Sequence, residues 1–345
     1  MLADLRAQGH IHSAVLTLGL RFSEFEITGG NARCMAMMKA FKTVVSDYVT
    51  PAGHSLQRHL VSHISKQVDF LSNTRPLAAS MKTAIKYLKS AISTTSPDVP
   101  DEDAKAHLRD RIDEFNSHRI VLAGRMIIKT VLEEDKLRDD DVILTYSRSS
   151  VVVALLIHAH EQGKKFRVVV TDSRPKFEGK DTLKELVAAG ISCTYVMTNA
   201  LPLVIKEVTK VMLGASAIFS NGAILSRVGT AVVSMAAHDA QVPVIVLCET
   251  YKFSDTARLD SFVWNEIGNP DELAQSKKPT SLMTPAPMGA LRDWREVDQL
   301  KLLNLHYDVT PSKFVTMVIC EAGMIPSTSV PFAVTRLGAA DRAGN

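Results

Sequence analysis

Residues 141–175 have the sequence DVILTYSRSSVVVALLIHAHEQGKKFRVVVTDSRP, in which two short apolar runs flank a longer one. The short runs, residues 142–146 and 167–171, contain five residues each and show no alternation of apolar and polar positions. This pattern is typical of strands that are buried on both faces of a parallel sheet. Residues 149–162 between them have the length and composition of a helix. The stretch therefore predicts a strand–helix–strand unit with a right-handed crossover.

The same alternation continues along the second half of the chain. Further short apolar runs lie at residues 193–197, 217–220 and 243–248, and helical stretches lie at residues 182–189, 201–213 and 227–240. We therefore predict that residues 136–345 form a Rossmann-like α/β domain with a doubly wound, mostly parallel sheet. Later apolar runs predict additional strands, at residues 300–305, 314–319 and 330–334. Residues 270–294 are rich in Pro, Ser and Lys and lack periodicity, which predicts a surface-loop insertion.

Residues 1–135 predict an N-terminal helical domain. Over residues 74–92, apolar side chains recur at spacings of four and three, as they do on one face of a helix. Pro76 falls early in this predicted helix, where a missing N–H is tolerated. Acidic residues at 101–103 suit the start of another helix, because negative charge is favourable at a helix N-terminus. The polar residues 93–100 between these two predicted helices indicate a loop.

The composition narrows the class of protein. The chain has 345 residues, enough for two domains, and a net charge of only +3, which is no electrostatic footprint for nucleic acid. The four cysteines show no CxxC spacing, which favours small buried hydrophobic residues in a reduced compartment over a zinc module. No stretch reaches the roughly 18 apolar residues of a membrane helix, and the N-terminus lacks signal-peptide features. We expect a cytoplasmic protein with no membrane partner, metal or cofactor.

Polar and basic residues follow the predicted strands, at the edge where doubly wound sheets bind ligands. Ser147 and Ser149 come after the first strand, and Arg174 follows the second, while Arg148 and Arg227 add positive charge. Hydroxyl groups and a helix N-terminus beside arginines suit a phosphate site. Helix capping by a serine and local ion pairs of the arginines explain the same pattern equally well. The sequence has no P-loop, GxGxxG, GxSxG or HExxH motif in a suitable context.

Lys82, Lys86 and Lys89 lie on one face of a predicted helix, at spacings of four and three. Such a stripe is typical of a solvated surface, and it also suits the docking of an acidic protein partner. The sequence leaves both interpretations open.

Several segments together resemble a known family: GGNARC at 29–34, RPLAASM at 75–81, VTDSRP at 170–175, NG at 221–222, SRVGT at 226–230, ETYKF at 249–253, YDVTP at 307–311 and GMIPSTSVP at 323–331. They resemble the alpha, beta and delta regulatory subunits of eukaryotic translation initiation factor 2B, and most of all the delta subunits. The resemblance covers about residues 10–335. Delta subunits usually carry a long charged N-terminal extension, whereas this sequence looks as if it begins within a helix.

The family shares a fold with isomerases acting on methylthioribose 1-phosphate and ribose 1,5-bisphosphate. This resemblance implies a vestigial isomerase pocket, made of Arg75, Ser147, Arg174, Asn221, Ala223 and Arg227. The catalytic cysteine of the isomerases falls on Ser147, and their catalytic aspartate falls on Ala223. A serine has no thiolate character at neutral pH, and alanine supplies neither acid nor base. The resemblance therefore implies a scaffold without the isomerase chemistry.

The resemblance implies a non-catalytic regulatory subunit of the guanine-nucleotide exchange factor for translation initiation factor 2. The implied partners are the beta, alpha, gamma and epsilon subunits of initiation factor 2B, with pairing to beta through the Rossmann-like domains. The alpha subunit of initiation factor 2, phosphorylated or not, is expected to dock on the helical domain. A phosphoserine favours nearby basic side chains, and the candidates are Arg33, Lys82, Lys86 and Lys89.

Two other functions stay open on sequence alone. One is a stand-alone sensor that binds a sugar or nucleotide phosphate at Arg75, Arg174 and Arg227. The other is a sugar-phosphate isomerase with a displaced catalytic pair.

Overall fold

The computed structural model describes residues 11–275, 289 and 291–343, with side chains described as far as residue 336. The chain divides into two compact units. The first contains the residues up to Met126, the short segment Glu249–Ser254 and the C-terminal residues from Leu337. The second contains Ile127–Cys248 and Asp255–Arg336. The domain boundary placed after residue 135 from the sequence stays a prediction.

The first unit is helical, as predicted. Its described helices are α1 (Ser13–Ser23), α2 (Gly30–Asp47), α3 (Leu56–Thr74), α4 (Ala79–Thr94) and α5 (Asp101–Phe115). A π-helical segment, Asn116–Leu122, joins α5 to α6 (Ala123–Glu133), along which the chain enters the second unit. Three acidic residues occupy the first turn of α5, as expected for a helix N-terminus.

The predicted helix over residues 74–92 is wrong at its start. Helix α3 continues to Thr74, and α4 begins only at Ala79. Arg75 has an extended backbone, with φ −158° and ψ 135°, because the residue before a proline is disfavoured in the helical region. The apolar face itself is confirmed, since Met81 and Leu88 are fully buried in the core of the first unit.

The second unit contains the predicted Rossmann-like sheet. Its described strands are β1 (Val142–Tyr146), β2 (Arg167–Asp172), β3 (Ser192–Met197), β4 (Lys210–Gly214), β5 (Ala217–Phe219), β6 (Ile224–Arg227), β7 (Val244–Leu247), β9 (Tyr307–Thr310), β10 (Met317–Cys320) and β11 (Gly323–Pro326). The two-residue strand β8 (Phe253–Ser254) belongs to the first unit. The described helices after α6 are α7 (Ser150–Glu161), α8 (Gly179–Ala188), α9 (Leu201–Val204), α10 (Thr230–Asp239), α11 (Asp271–Ala274) and α12 (Val330–Ala343).

The large sheet has seven strands, in the order β11-β10-β7-β4-β1-β2-β3. Neighbouring strands are parallel except for β10 and β11, which are antiparallel. All five residues of β1 are buried, as the absence of alternation predicted. In register, Leu144 of β1 lies between Val169 of β2 and Val211 of β4.

Four predictions for this unit are wrong. Residues 300–305, predicted as a strand, form none, and only Leu305 takes part in an isolated antiparallel bridge, with Ile267. Residues 201–213, predicted as a helix, contain the four-residue helix α9, a 3-10 turn and strand β4. Residues 217–220, predicted as a parallel strand, form β5, which pairs antiparallel with β6. Residues 330–334, predicted as a strand, begin helix α12. The central part of the predicted insertion at 270–294 lies outside the described residues, and the described flanks include α11 and a 3-10 turn, Trp294–Glu296.

An antiparallel arrangement of β5, β6 and β9 positions the start of α10 and the end of β6. Arg227, the last residue of β6, pairs in register with Tyr307 of β9. The next residue of β9, Asp308, accepts hydrogen bonds from the backbone N–H groups of Gly229 at 2.7 Å and Ala231 at 3.0 Å. The carboxylate therefore satisfies amides at the N-terminus of α10, which lack partners within the helix.

Candidate functional site

A small pocket lies in the second unit, where β1, β2 and β6 end and α8 begins. It is lined by Tyr146, Ser147, Asp172, Ser173, Arg174, Pro175, Lys176, Phe177, Glu178, Arg227, Val228, Leu305 and His306. Because β1 and β2 are parallel neighbours, Ser147 and Ser173 follow them at the same edge of the sheet. The cavity volume is about 20 Å³, which is on the scale of one water molecule and far below that of a sugar phosphate.

Ser147 is held at the pocket by its backbone as well as its side chain. Its φ is +56°, a left-handed conformation that is uncommon for a residue with a side chain. The backbone N–H donates to the Thr171 carbonyl at 2.9 Å, and the backbone carbonyl accepts from the Thr182 hydroxyl at 2.9 Å. The Ser147 hydroxyl donates to Oε2 of Glu178 at 3.1 Å.

Glu178 and Arg227 form a bidentate ion pair in the pocket. The Arg227 Nε donates to Oε2 of Glu178 at 2.7 Å, and one terminal nitrogen donates to Oε1 at 2.6 Å. Both side chains are largely buried, with 14% and 16% of their surface exposed. The Arg227 guanidinium also lies 5.0 Å from the centre of the Tyr307 ring. Burial lowers the pKa of Arg227, but Tyr307 and Glu178 outweigh it and raise this pKa above its ordinary value.

Two carboxylates are buried in this part of the second unit: Asp172 lines the pocket, and Asp308 binds the start of α10. Asp172 accepts hydrogen bonds from the Ser173 N–H at 2.9 Å and from the Tyr195 hydroxyl at 3.0 Å. Burial raises the pKa of Asp172 above its ordinary value, against the lowering effect of these bonds. Burial likewise raises the pKa of Asp308 to about 6, although the two amides of α10 favour its charged form. These bonds place both carboxylates in structural roles.

Tyr146 closes one side of the pocket. Its hydroxyl lies 2.6 Å from the Ser173 hydroxyl and donates to the Val228 carbonyl at 2.5 Å. Burial raises the pKa of Tyr146 to about 12, so its phenol stays protonated at neutral pH. The tyrosine thereby connects the end of β1 with the start of α10.

Within the second unit, the structure brings Ser147, Arg174 and Arg227 together at the pocket and leaves Asn221 and Ala223 outside its lining. Arg174 lines the pocket, and its guanidinium donates to the Gln275 carbonyl. Asn221 and Ala223 lie in the connection between β5 and β6, outside the pocket lining. The Asn221 side chain donates to the Arg258 carbonyl at 2.7 Å, and Ala223 is buried.

Arg75 belongs to the first unit, where it is buried. Its guanidinium lies 4.0 Å from the centre of the Phe25 ring and donates to the Ile27 carbonyl at 3.3 Å. These contacts tie the end of α3 to the connection between α1 and α2.

Of the predicted partner-binding residues, Arg33 is contradicted by its burial. It is 1% exposed, donates to the Pro76 carbonyl at 2.7 Å, and lies 5.1 Å from the centre of the Phe22 ring. A guanidinium buried in this way is not available to a partner at the surface. Lys82 and Lys86 on α4 are exposed, and Lys89 is half-buried.

Glu178 is a central pocket residue that was not among the candidates from the sequence. The sequence RPKFEG at 174–179 places an acidic residue between Arg174 and the start of α8. The acid could have been noticed from the sequence, because a carboxylate close to arginines can pair with them in place of an external anion.

The described residues contain neither a cluster of three metal ligands nor a membrane-spanning helix. No group of three or more His, Cys, Asp or Glu side chains is placed to hold a metal ion among residues 11–275, 289 and 291–336. In the described residues, no helix combines the length and apolar character that crossing a membrane requires.

Comparison with known proteins gives the family. The model of the Initiation factor 2 subunit family matches residues 26–327. The chain belongs to this family. It is 48% identical over 93% of its length to the translation initiation factor eIF2B subunit delta of Schizosaccharomyces pombe, covering 68% of that protein. The delta subunit of Dictyostelium discoideum is 42% identical, and the chain spans about half of its length, 51%.

The chain also resembles a solved structure and an enzyme. A chain of the tetrameric eIF2B-beta2-delta2 complex from C. thermophilum superposes with a TM-score of 0.78 at 32% identity, over 91% of this chain and 93% of that one. The ribose 1,5-bisphosphate isomerase of Pyrococcus furiosus is 30% identical over 90% of both chains. The chain is thus similar to an enzyme as well as to initiation-factor subunits.

Proposed function

We propose that this chain is a non-catalytic, delta-type regulatory subunit of the guanine-nucleotide exchange factor for translation initiation factor 2. The observation that carries the proposal is the 48% identity to the fission-yeast delta subunit over 93% of the chain. The identity to the archaeal isomerase is much lower, at 30%. The proposed partners are the beta, alpha, gamma and epsilon subunits of the factor and the alpha subunit of initiation factor 2.

The pocket supports the absence of catalysis. Ring opening and proton transfer in a sugar phosphate need a positioned acid and base. Ser147 takes the place proposed for the isomerase cysteine, and its hydroxyl is hydrogen-bonded to Glu178. Ala223 takes the place proposed for the aspartate and offers no titratable group. We expect the purified chain to show no turnover of ribose 1,5-bisphosphate in a product assay, with the archaeal isomerase as positive control. Turnover that Ser147→Ala abolishes would instead establish an isomerase.

An exposed apolar segment of the second unit is the proposed contact with a beta-type subunit. Between residues 259 and 267, five large side chains are 64% to 93% exposed: Leu259, Phe262, Val263, Trp264 and Ile267. Asp260 accepts hydrogen bonds from the N–H groups of Phe262 and Val263, so this backbone is held in an ordered turn. An ordered apolar cluster facing water is typical of a protein–protein interface. A chain similar to this one was solved within a beta2-delta2 complex, which favours a beta-type subunit as occupant.

Replacing Trp264 by aspartate should weaken association with a beta-type subunit by at least about tenfold, because large aromatic side chains dominate interface energies. Phe262→Asp should act in the same direction. The measurement is the native mass of the chain and the proteins that accompany it after gentle purification from its own cells. Val187→Asp is the matched control, since Val187 is 56% exposed on α8, outside the segment. Equal loss of association in the control and the Trp264 variant would contradict the assignment of this segment.

The outer face of α4 is the proposed contact with the alpha subunit of initiation factor 2. Helix α4 carries Lys82, Lys86 and Lys89 and contains no acidic residue. The double variant Lys82→Glu/Lys86→Glu should weaken binding of the phosphorylated partner by about tenfold, more at low than at high salt. Affinities would be measured on the assembled complex. The variant Lys184→Glu/Lys206→Glu makes the same charge change at exposed positions of the second unit and should leave binding unchanged. Unaltered binding of both phospho-forms by the α4 variant would refute the contact.

A further inference from the structure

We propose that Glu178 is an internal ligand that fills an oxyanion site formed by Arg227 and Ser147, and that a phosphate group binds there once Glu178 is removed. This inference assigns a role to a residue that the family resemblance did not include.

Hydrogen-bond donors from Arg227 and Ser147 surround both carboxylate oxygens of Glu178. The Arg227 fork gives two parallel hydrogen bonds, at 2.7 and 2.6 Å, and the Ser147 hydroxyl adds a third at 3.1 Å. Guanidinium forks recognise carboxylates and phosphates with the same bidentate geometry. A carboxylate with three donors on its two oxygens therefore occupies the place that two oxygens of a phosphate group would take.

The backbone next to Glu178 holds this carboxylate beside the pocket. Glu178 is the residue immediately before α8, and Gly179 packs directly against Asp172. A Cβ on Gly179 would lie 2.7 Å from Cγ of Asp172, so only glycine permits this close approach. The backbone on the C-terminal side of Glu178 is thereby held against the end of β2, beside the pocket.

A tethered carboxylate has a large advantage over a ligand from solution. Its effective concentration at Arg227 is millimolar or higher, because its backbone is already fixed beside the site. An external phosphate must displace it and leave Glu178 without its guanidinium partner. The cavity beside the ion pair, about 20 Å³, leaves no room for both. The site is therefore closed to phosphate esters in the native chain, although its donors suit them.

Removing the carboxylate should turn the ion pair into a phosphate site. In Glu178→Ala, the buried Arg227 loses its counter-ion, and we expect the melting temperature of the full-length chain to fall by about 5 °C or more. Inorganic phosphate at about 20 mM should restore at least half of this loss, and calorimetry should detect its binding, because a ligand of the folded state stabilises it by mass action. The native chain should show neither response.

Two controls distinguish specific phosphate binding at Arg227 from a general stabilisation by salt. Glu185→Ala removes the carboxylate from the exposed pair with Arg148, whose closest distance is 2.7 Å, and should not respond to phosphate. Sodium chloride at equal ionic strength should not replace phosphate. If Glu178→Ala does not fold, Glu178→Gln keeps the shape, removes the charge and should show the same rescue. Equal responses to phosphate in native chain, Glu178 variants and Glu185→Ala, or no response in any Glu178 variant, would overturn the proposal.

Discussion

Glu249→Ala is expected to lower the free energy of unfolding by about 3–5 kcal/mol, the range for breaking a buried ion pair from one side. Glu249 is fully buried, and Lys252 is 6% exposed. The carboxylate lies 2.6 Å from the Lys252 ammonium and accepts a hydrogen bond from the Asn31 amide at 2.6 Å. Without Glu249, the ammonium loses a carboxylate partner in a site from which water is excluded.

This ion pair anchors a segment that returns to the first unit after β7. The Tyr251 hydroxyl donates to the Asn31 side-chain oxygen at 2.6 Å, and its ring meets Phe115 edge-on at 5.9 Å. Asn31 lies in the first turn of α2. The motifs GGNARC and ETYKF, which are more than 200 residues apart, therefore form one buried network. Residues of both motifs thus hold this segment against the start of α2.

The measurement for Glu249 is denaturant unfolding of the full chain. Glu249→Gln keeps hydrogen-bonding groups without the charge and should cost less than alanine. Glu26→Ala is the control from the same unit, since Glu26 pairs with Arg21 at 2.9 Å with both side chains about half-exposed. Exposed pairs contribute about 0–1 kcal/mol. A Glu249 variant no less stable than Glu26→Ala would contradict the role given to this network.

A parallel strand was predictable from the sequence where a short apolar run has polar residues on both sides. Residues 142–146 are a short buried run between polar residues, and they form β1 without a shift of boundary. Strand β4 was not predictable from periodicity. Leu201, Ile205, Val208 and Met212 recur at spacings of four, three and four, which imitates one face of a helix. Tertiary pairing with β1 and β7 overrides that pattern for Lys210–Gly214.

Pairing between distant segments also explains the error at residues 217–220. Strand β5 pairs antiparallel with β6, which pairs in turn with β9, about 80 residues further along the chain. No local property of an apolar run shows which partner it will find, because parallel and antiparallel strands use the same residue types. The Asn221-Gly222 turn is thus a connection within an antiparallel pair and not the end of a parallel strand.

The candidate site was predictable in part for the same reason. Ser147 and Arg174 could be placed together because they follow neighbouring parallel strands. Glu178 was missed because its partner, Arg227, is 49 residues away and reaches the pocket from the antiparallel strand β6. Arg33 was misassigned because a sequence shows charge but not burial.

Gly229→Ala is expected to cost about 3–5 kcal/mol of unfolding free energy, from backbone strain and overpacking together. Gly229 has a φ of +106°, which side chains rarely adopt, and it immediately precedes α10. A Cβ at this position would lie 2.2 Å from the hydroxyl oxygen of Tyr146. That hydroxyl cannot easily withdraw, since it is hydrogen-bonded to Ser173 and to the Val228 carbonyl. The substitution must therefore displace the start of α10 or the end of β1.

Denaturant unfolding of two further variants separates strain from overpacking. Gly163→Ala has a similar φ of +88° but no atom within 4 Å of the added Cβ, so it should cost only about 1 kcal/mol. In a Tyr146→Phe background, the closest contact is absent, and Gly229→Ala should cost at least about 1 kcal/mol less than in the native chain. Equal costs for Gly229→Ala and Gly163→Ala would show that α10 yields at its start. That result would contradict the close approach of Tyr146 to the start of α10.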